Sequence, residues 1–380
     1  MSAVRNPSRL DALRDSVFRQ AGALVGGGLL LLALWLAPDL APAGLGGSSV
    51  ELAHGRVVAL PAPGTDPMES SARVLILEGP RAGEVLEAAL QGPVGQVELP
   101  DYRVGQEVVV TISRDLDGEF VTVSDRWRIP ALAGVVGLFG LSVVLVGGWR
   151  GVRSLLALAL TLGAVVKILL PLVLAGWSPI LLAVLISAAV TLATLLLTEG
   201  VRRTTAAAVL GTFGALGLTA LLVVWSADLA QFTDVQGGAD LFFVQAVGGS
   251  EIDLRGLVFA AIVLGALGVI DDVTITQAAT VHELHRVDPS APPSDLFRRA
   301  MNVGRSHIAA TVNTLVLAYV GASLPLLVLF AAGRQPVLAV ASGEMVAVEI
   351  VRAVVGGIGI VAAVPLTTAV AALIAPARPR

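Results

Sequence analysis

Apolar residues in this chain come in runs of about twenty, and that single feature excludes most folds. The runs fall at about 21–37, 130–149, 154–175, 178–198, 205–226, 255–281, 307–330 and 347–374. A helix rises about 1.5 Å per residue, so each run is near the length that crosses a hydrocarbon core of about 30 Å. The composition suits lipid: 55% of the 380 residues are hydrophobic and 14% are charged. Soluble domains carry about 25% charged residues. The expected fold class is an α-helical polytopic membrane protein with about eight transmembrane helices.

Arginines orient it. Arg5, Arg9, Arg14 and Arg19 precede the first run, Arg150 and Arg153 follow the second, and Arg202 and Arg203 follow the fourth. Arg286, Arg298, Arg299 and Arg305 separate the sixth from the seventh, and Arg378 and Arg380 close the chain. With eight spans all of these fall on one side, which is the positive-inside pattern. The opposite short loops hold little beyond Arg255 and Arg334, and the 227–253 loop is acidic. The predicted order is a basic cytoplasmic N-terminus (1–20), a first transmembrane helix (21–37), an extracytoplasmic domain (38–129), a seven-helix transmembrane domain (130–374) and a cytoplasmic C-terminus (375–380). The expected location is the plasma membrane, with the lipid bilayer as first partner. The basic leader and Ala41-Pro42-Ala43 also fit a cleaved signal peptide. The apolar run is long for one, so a retained helix is expected.

The 38–129 region changes character. Short β-type runs at Val50–Leu60, Ala72–Glu78, Glu84–Leu90, Glu107–Ser113 and Glu119–Ser124 are separated by turn signals. Gly79 to Gly83 has hairpin length with a glycine at each end, and Asp117-Gly118 is a tight-turn pair. Five strands without an intervening helix predict a small all-β, OB-like barrel. It carries no aromatic platform or basic stripe, so a structural cap is the first expectation and an extracytoplasmic protein partner the second. Nothing points to nucleic acid. The absence of cysteine excludes disulfides and thiolate sites.

The candidate site lies in the sixth run, where Asp271 and Asp272 interrupt an apolar segment. One aspartate near the centre of a spanning helix costs roughly 2.5–3.5 kcal/mol on insertion, and intramembrane acids mark functional sites by default. Helical spacing puts Ala261, Gly265, Gly268, Asp272, Thr276 and Ala279 on one face. Such small residues suit close packing, so Asp272 is expected to point into the bundle and Asp271 to lie at its edge. Thr274, Thr276 and Gln277 make the following turns polar, and the seventh run adds His307, Asn313 and Thr314. Paired carboxylates among neutral oxygens suit a migrating proton or a hard cation such as Na⁺ or Mg²⁺. Lys167, the one lysine, is the candidate counter-ion. A polar packing network is the competing reading.

Other polar groups have simpler expectations. Glu349 and Arg352 are spaced for an ion pair, and His282 and His285 for a solvated helix end. Gly211, Gly214 and Gly217 suit close helix packing. Phosphate loops, dinucleotide fingerprints and nucleophile elbows are absent, so no catalytic residue and no cofactor are expected.

Two runs, Gly265–Ala278 (GALGVIDDVTITQA) and Arg305–Pro325 (RSHIAATVNTLVLAYVGASLP), resemble the YibE/F-like family of bacterial multipass membrane proteins. That resemblance implies the architecture above and no established activity. A second similarity is to the later helices of the export components SecD and SecF. An acidic residue in a glycine-rich helix is followed there by a basic loop and an arginine-threonine pattern, matched here by Arg305, Thr311 and Thr314. It implies proton carriage at Asp271 or Asp272. The span count and the small outer domain depart from that pattern. The expected function is proton- or cation-coupled transport, or assistance to export. The alternative is a non-transporting scaffold or assembly factor.

Overall fold

Alternation with period two decides the smaller of two units. In the computed structural model, which describes residues 27–29, 33, 35, 49–61, 70–90, 101–115, 118–232, 252–334 and 336–375, that unit is Gly44–Leu145. The basic leader, most of the first apolar run, Ala41-Pro42-Ala43, Asp117, the middle of the 227–253 loop and Arg378 and Arg380 lie outside the described residues. Five strands form: β1 (Ser49–Ala59), β2 (Ser71–Ile76), β3 (Val85–Leu90), β4 (Glu107–Asp115) and β5 (Gly118–Arg126). They close into a barrel in the order β1-β2-β3-β5-β4. β3 pairs with β5 in parallel, and β1 pairs antiparallel with both β2 and β4. Closure leaves no free edge.

Val74, Ile76, Val108, Val110, Ile112 and Val123 alternate inward and are fully buried. Gly79 (φ 95°) and Gly83 (φ 90°) turn β2 into β3 in a backbone region that side chains rarely adopt.

The second unit combines Met1–Ala43 with Val146–Arg380 and is helical. Its long elements are α1 (Ile129–Leu174, which begins before the unit boundary), α2 (Pro179–Glu199), α3 (Arg203–Ala230), α4 (Leu254–Val287), α5 (Pro293–Ala322) and α8 (Glu344–Ile374). Between the last two lie the short α6 (Leu324–Ala332) and α7 (Val337–Ser342). Among the described residues five helices are long and apolar enough to cross a membrane, or up to six if α5 and α6, bent by 58°, are one span.

The count differs from the eight expected for identifiable reasons. The second and third runs join into a 46-residue α1, broken at Gly148, whose φ of 54° and ψ of −135° are not helical. The first run is described only at five positions, all helical: residues 27–29, 33 and 35.

α4 is the hub of the helical unit, packing against α2, α3, α5 and α8. Its Ile262, Val263, Ala266, Ile270 and Val273 meet Ile186, Leu216, Ile360 and Val364 in one core. Large apolar side chains also cover the outside, Leu185, Leu192, Leu210, Leu221 and Leu373 among them. Helices apolar inside and out suit lipid as solvent. Glycines set the closest approaches: a Cβ on Gly211 of α3 would overlap Thr367 of α8, and one on Gly359 would overlap Thr219. Gly214 and Gly217 are exposed, so only Gly211 of that expected face packs closely.

Candidate functional site

The inward acid is Asp271. α4 turns it toward α2 and α3, where Thr191 Oγ1 donates to both carboxylate oxygens at 3.2 Å. Thr212 Oγ1 lies 3.1 Å from Oδ1. Thr274, one turn along α4, donates to the Asp271 carbonyl at 3.0 Å and shares a 2.8 Å hydroxyl contact with Thr212. All three threonines are completely buried. Among the described residues no Lys, Arg or His pairs with Asp271.

Asp272 faces the opposite way. With Ala261, Gly265, Gly268, Thr276 and Ala279 it forms an exposed stripe, so the expected orientation of the two acids is reversed. The reason is packing. The bulkier face bearing Ile262, Ile270 and Val273 supplies the contacts to α2, α3 and α8, and the small-residue face is left outside. A Cβ at Gly265 would lie 2.8 Å from Tyr319 Oη, so this stripe borders α5. His307 of α5 is partly exposed, and its carbonyl accepts from Thr311 Oγ1 at 2.8 Å.

The remaining expected site residues disperse. Thr276 Oγ1 bonds back to the Asp272 and Val273 carbonyls. Gln277 is buried, but its amide donates to the Ala300 carbonyl (3.0 Å) and to Thr368 Oγ1 (2.7 Å), tying α4 to α5 and α8. Asn313 and Thr314 are exposed, and Thr314 Oγ1 bonds to the Ala310 carbonyl. Lys167 forms no ion pair with either aspartate; its Nζ lies 5.8 Å from the centre of the Trp35 ring. It sits in a π-helical turn, Val165–Leu169, of α1. Glu349 and Arg352 do pair, at 2.8 Å.

Thr191 and Thr212 escaped the sequence reading. A signal was present: Ser187, Thr191, Thr194 and Thr198 recur at helical spacing along α2, and Thr212 and Thr219 lie a heptad apart on α3. Two more hydroxyls in this interior, Ser187 Oγ and Thr367 Oγ1, are buried without a hydrogen-bond partner. Thr367 packs on Gly211, next to Thr212 in the chain. Among the described residues no three His, Asp or Glu cluster as metal ligands. The arrangement is one acid ringed by neutral oxygens, which can take up a proton or share a small cation.

Residues 135–377 match the family model described as YibE/F-like protein. The chain belongs to the YibE/F-like family. No curated protein and no solved structure matches it. In this YibE/F-like chain the matched stretch holds Asp271 and the three threonines around it, whereas the strands of the barrel precede it.

Proposed function

We propose that this chain is a multipass plasma-membrane protein that moves protons or a small cation, with Asp271 as the carrier group. One observation carries the reading: a carboxylate inside an apolar bundle, held by threonine hydroxyls and, among the described residues, by no basic side chain. An uncompensated carboxylate in low dielectric needs a positive charge brought to it. The unpartnered Ser187 and Thr367 hydroxyls add oxygens along a route to it. Asp272, exposed on the outer face of α4, is a second stop rather than a twin of Asp271. Thr274 is a direct neighbour of the carrier; Gln277, Asn313 and Thr314 take packing or surface roles.

The topology proposed with this is eight spans, counting the first run, the two halves of α1 on either side of Gly148, and the α5–α6 pair as one. Both termini are cytoplasmic and 38–129 is extracytoplasmic. The strand order and the parallel β3–β5 pairing support an OB-like barrel there. A second reading, a scaffold without transport, draws on Gln277, a buried polar side chain whose amide nitrogen bonds to groups on two other helices.

Proteoliposomes loaded with a pH-sensitive dye and driven by a potassium diffusion potential separate the two. Proton entry is expected with the wild-type chain, near background for Asp271→Asn and reduced for Asp272→Asn. Repeating the assay with a sodium gradient tests the cation form. Wild-type rates in both variants at normal abundance would leave the scaffold. The chain has no cysteine, so single cysteines report sidedness cleanly. Arg103→Cys should react with an impermeant maleimide on intact cells, and Ser290→Cys only after permeabilisation; the reverse pattern overturns the orientation.

A further inference from the structure

About three helical turns along α4 from Asp271, a separate cavity of about 530 Å³ opens at the ends of α3, α4 and α8. Its polar lining is basic: Arg202 and Arg203 at the start of α3, and His282 and His285 on one face of α4. Thr204 adds a hydroxyl, and among the described residues no Asp or Glu lines it. Glu199 lines a different, smaller cavity beyond Thr204.

Charge pairing sets this cluster apart from the arginines flanking the α4–α5 turn. Those arginines have carboxylates: Arg286 bonds to Glu283, Arg298 to Asp295, and Arg299 to both Asp288 and Asp295, whereas Arg305 meets Asn302 Oδ1 and Arg153 the Thr198 carbonyl. Arg202 and Arg203 have none among the described residues. His285 Nδ1 is shut off from water and lacks a hydrogen-bond partner. α3 also begins here with no side chain capping its first turn, so its N–H groups and dipole add to the positive field. The rest of the wall is apolar, formed by Ala207, Val281 and Ala371.

We propose that this cavity binds a phosphate-bearing anion, either the headgroup of an anionic lipid or a soluble phosphate. Guanidinium groups fork onto phosphate oxygens in charge-assisted bonds. The volume falls within the roughly 300–1,000 Å³ of small-ligand sites. The apolar wall favours a headgroup with its glycerol stem. On the proposed topology this is the cytoplasmic end, where anionic headgroups meet the protein. The site is independent of the aspartate reading and stands or falls without it.

The test uses the full chain purified in detergent. Native mass spectrometry compares retention of phosphatidylglycerol with that of phosphatidylcholine, and calorimetry measures binding of inorganic phosphate. Preference for phosphatidylglycerol supports the lipid form, and calorimetric binding of phosphate supports the soluble form. Either signal should weaken about tenfold or more in Arg202→Gln/Arg203→Gln, the order expected for losing two charge-assisted bonds. A smaller loss is expected in His282→Asn/His285→Asn, and none in Arg298→Gln. Equal retention of both lipids together with no phosphate binding overturns the proposal. So does binding that both variant pairs leave unchanged.

Discussion

The barrel and the helical bundle handle polar groups in opposite ways. In the barrel the core side chains are apolar and most charges stand outside, several of them bonded to one another. Arg81 bonds to Glu84 and Glu119, Arg114 joins Glu119, and Glu107 takes Arg56. In the bundle leucines cover the outside, while Ser187, Thr191, Thr212, Thr219, Thr274, Gln277, Thr367 and Thr368 are buried. The difference follows from the solvent. Water drives apolar groups inward and hydrates what stays out. Lipid provides no such drive between helices, so they associate through close contact and internal hydrogen bonds. Several hydroxyls meet that need locally, as Thr219 does on the Ala215 carbonyl and Thr368 on the Val364 carbonyl. The interior of the bundle is therefore where polar chemistry can collect, and Asp271 sits in it.

The strongest way to break the comparison is to crowd a glycine contact in each unit. Gly359→Val places methyl groups on Thr219, and Gly55→Val places them on Val74 and Val110. Overpacking costs typically about 1–3 kcal/mol, so both variants should melt well below wild type in detergent. If contact between helix and hydroxyl is what closes the bundle, Thr219→Ala should restore much of the Gly359→Val loss. A loss unaffected by Thr219→Ala would mean the bundle is held elsewhere.

The barrel was legible in the sequence because strand physics is local. Alternation along Ala72–Ile76 and Val108–Ile112, with glycines at 79 and 83, specifies strands and turn without distant information. The acid site was only half legible. That an aspartate belonged inside the bundle could be read from α4 alone. Adjacent helical residues lie about 100° apart, so which aspartate turns inward depends on the neighbours ringing α4. The hydroxyls that meet it come from 80 and 59 residues away. Gln277 was misplaced for the same reason, since its partner Thr368 is 91 residues distant. The span count was illegible at Gly148, because a glycine between two apolar runs fits a loop or a break within one helix equally well.

A smaller effect sharpens the contrast between hydroxyls. Thr191→Val and Thr212→Val each remove a donor from a buried carboxylate, a bond worth about 1.5–3 kcal/mol when the acceptor is charged. Thr111→Val in the barrel removes a hydroxyl whose neighbour, Ser124, is exposed to water, and should shift stability by no more than about 0.5 kcal/mol. Thermal unfolding of the three variants in one detergent makes the comparison. Equal shifts would show that Asp271 is not held by these threonines.

The smallest effect separates the units by acid. Arg81, then Arg114, bond to Glu119 and hold its carboxyl below the ordinary glutamate value of 4.5; Arg56 does the same for Glu107. A carboxyl lowered in the folded state contributes stability above its unfolded value, and that contribution disappears as pH falls through the lowered folded value. Barrel stability should therefore hold from neutral pH to about 4.5 and decline below it. These pairs are solvent-exposed and screened, so the decline is shallow. Arg81→Gln removes the first cause for Glu119 and should flatten the decline between about pH 4.5 and 3. Melting curves of the full chain across that range, with and without Arg81→Gln, measure the slope. Because the ion pairs of the bundle do not involve Arg81 or Glu119, the substitution should move the barrel's unfolding step and leave the helical step in place. A variant whose acid slope equals that of wild type would show that the arginine pairs on the barrel surface are geometric neighbours with no share in its stability.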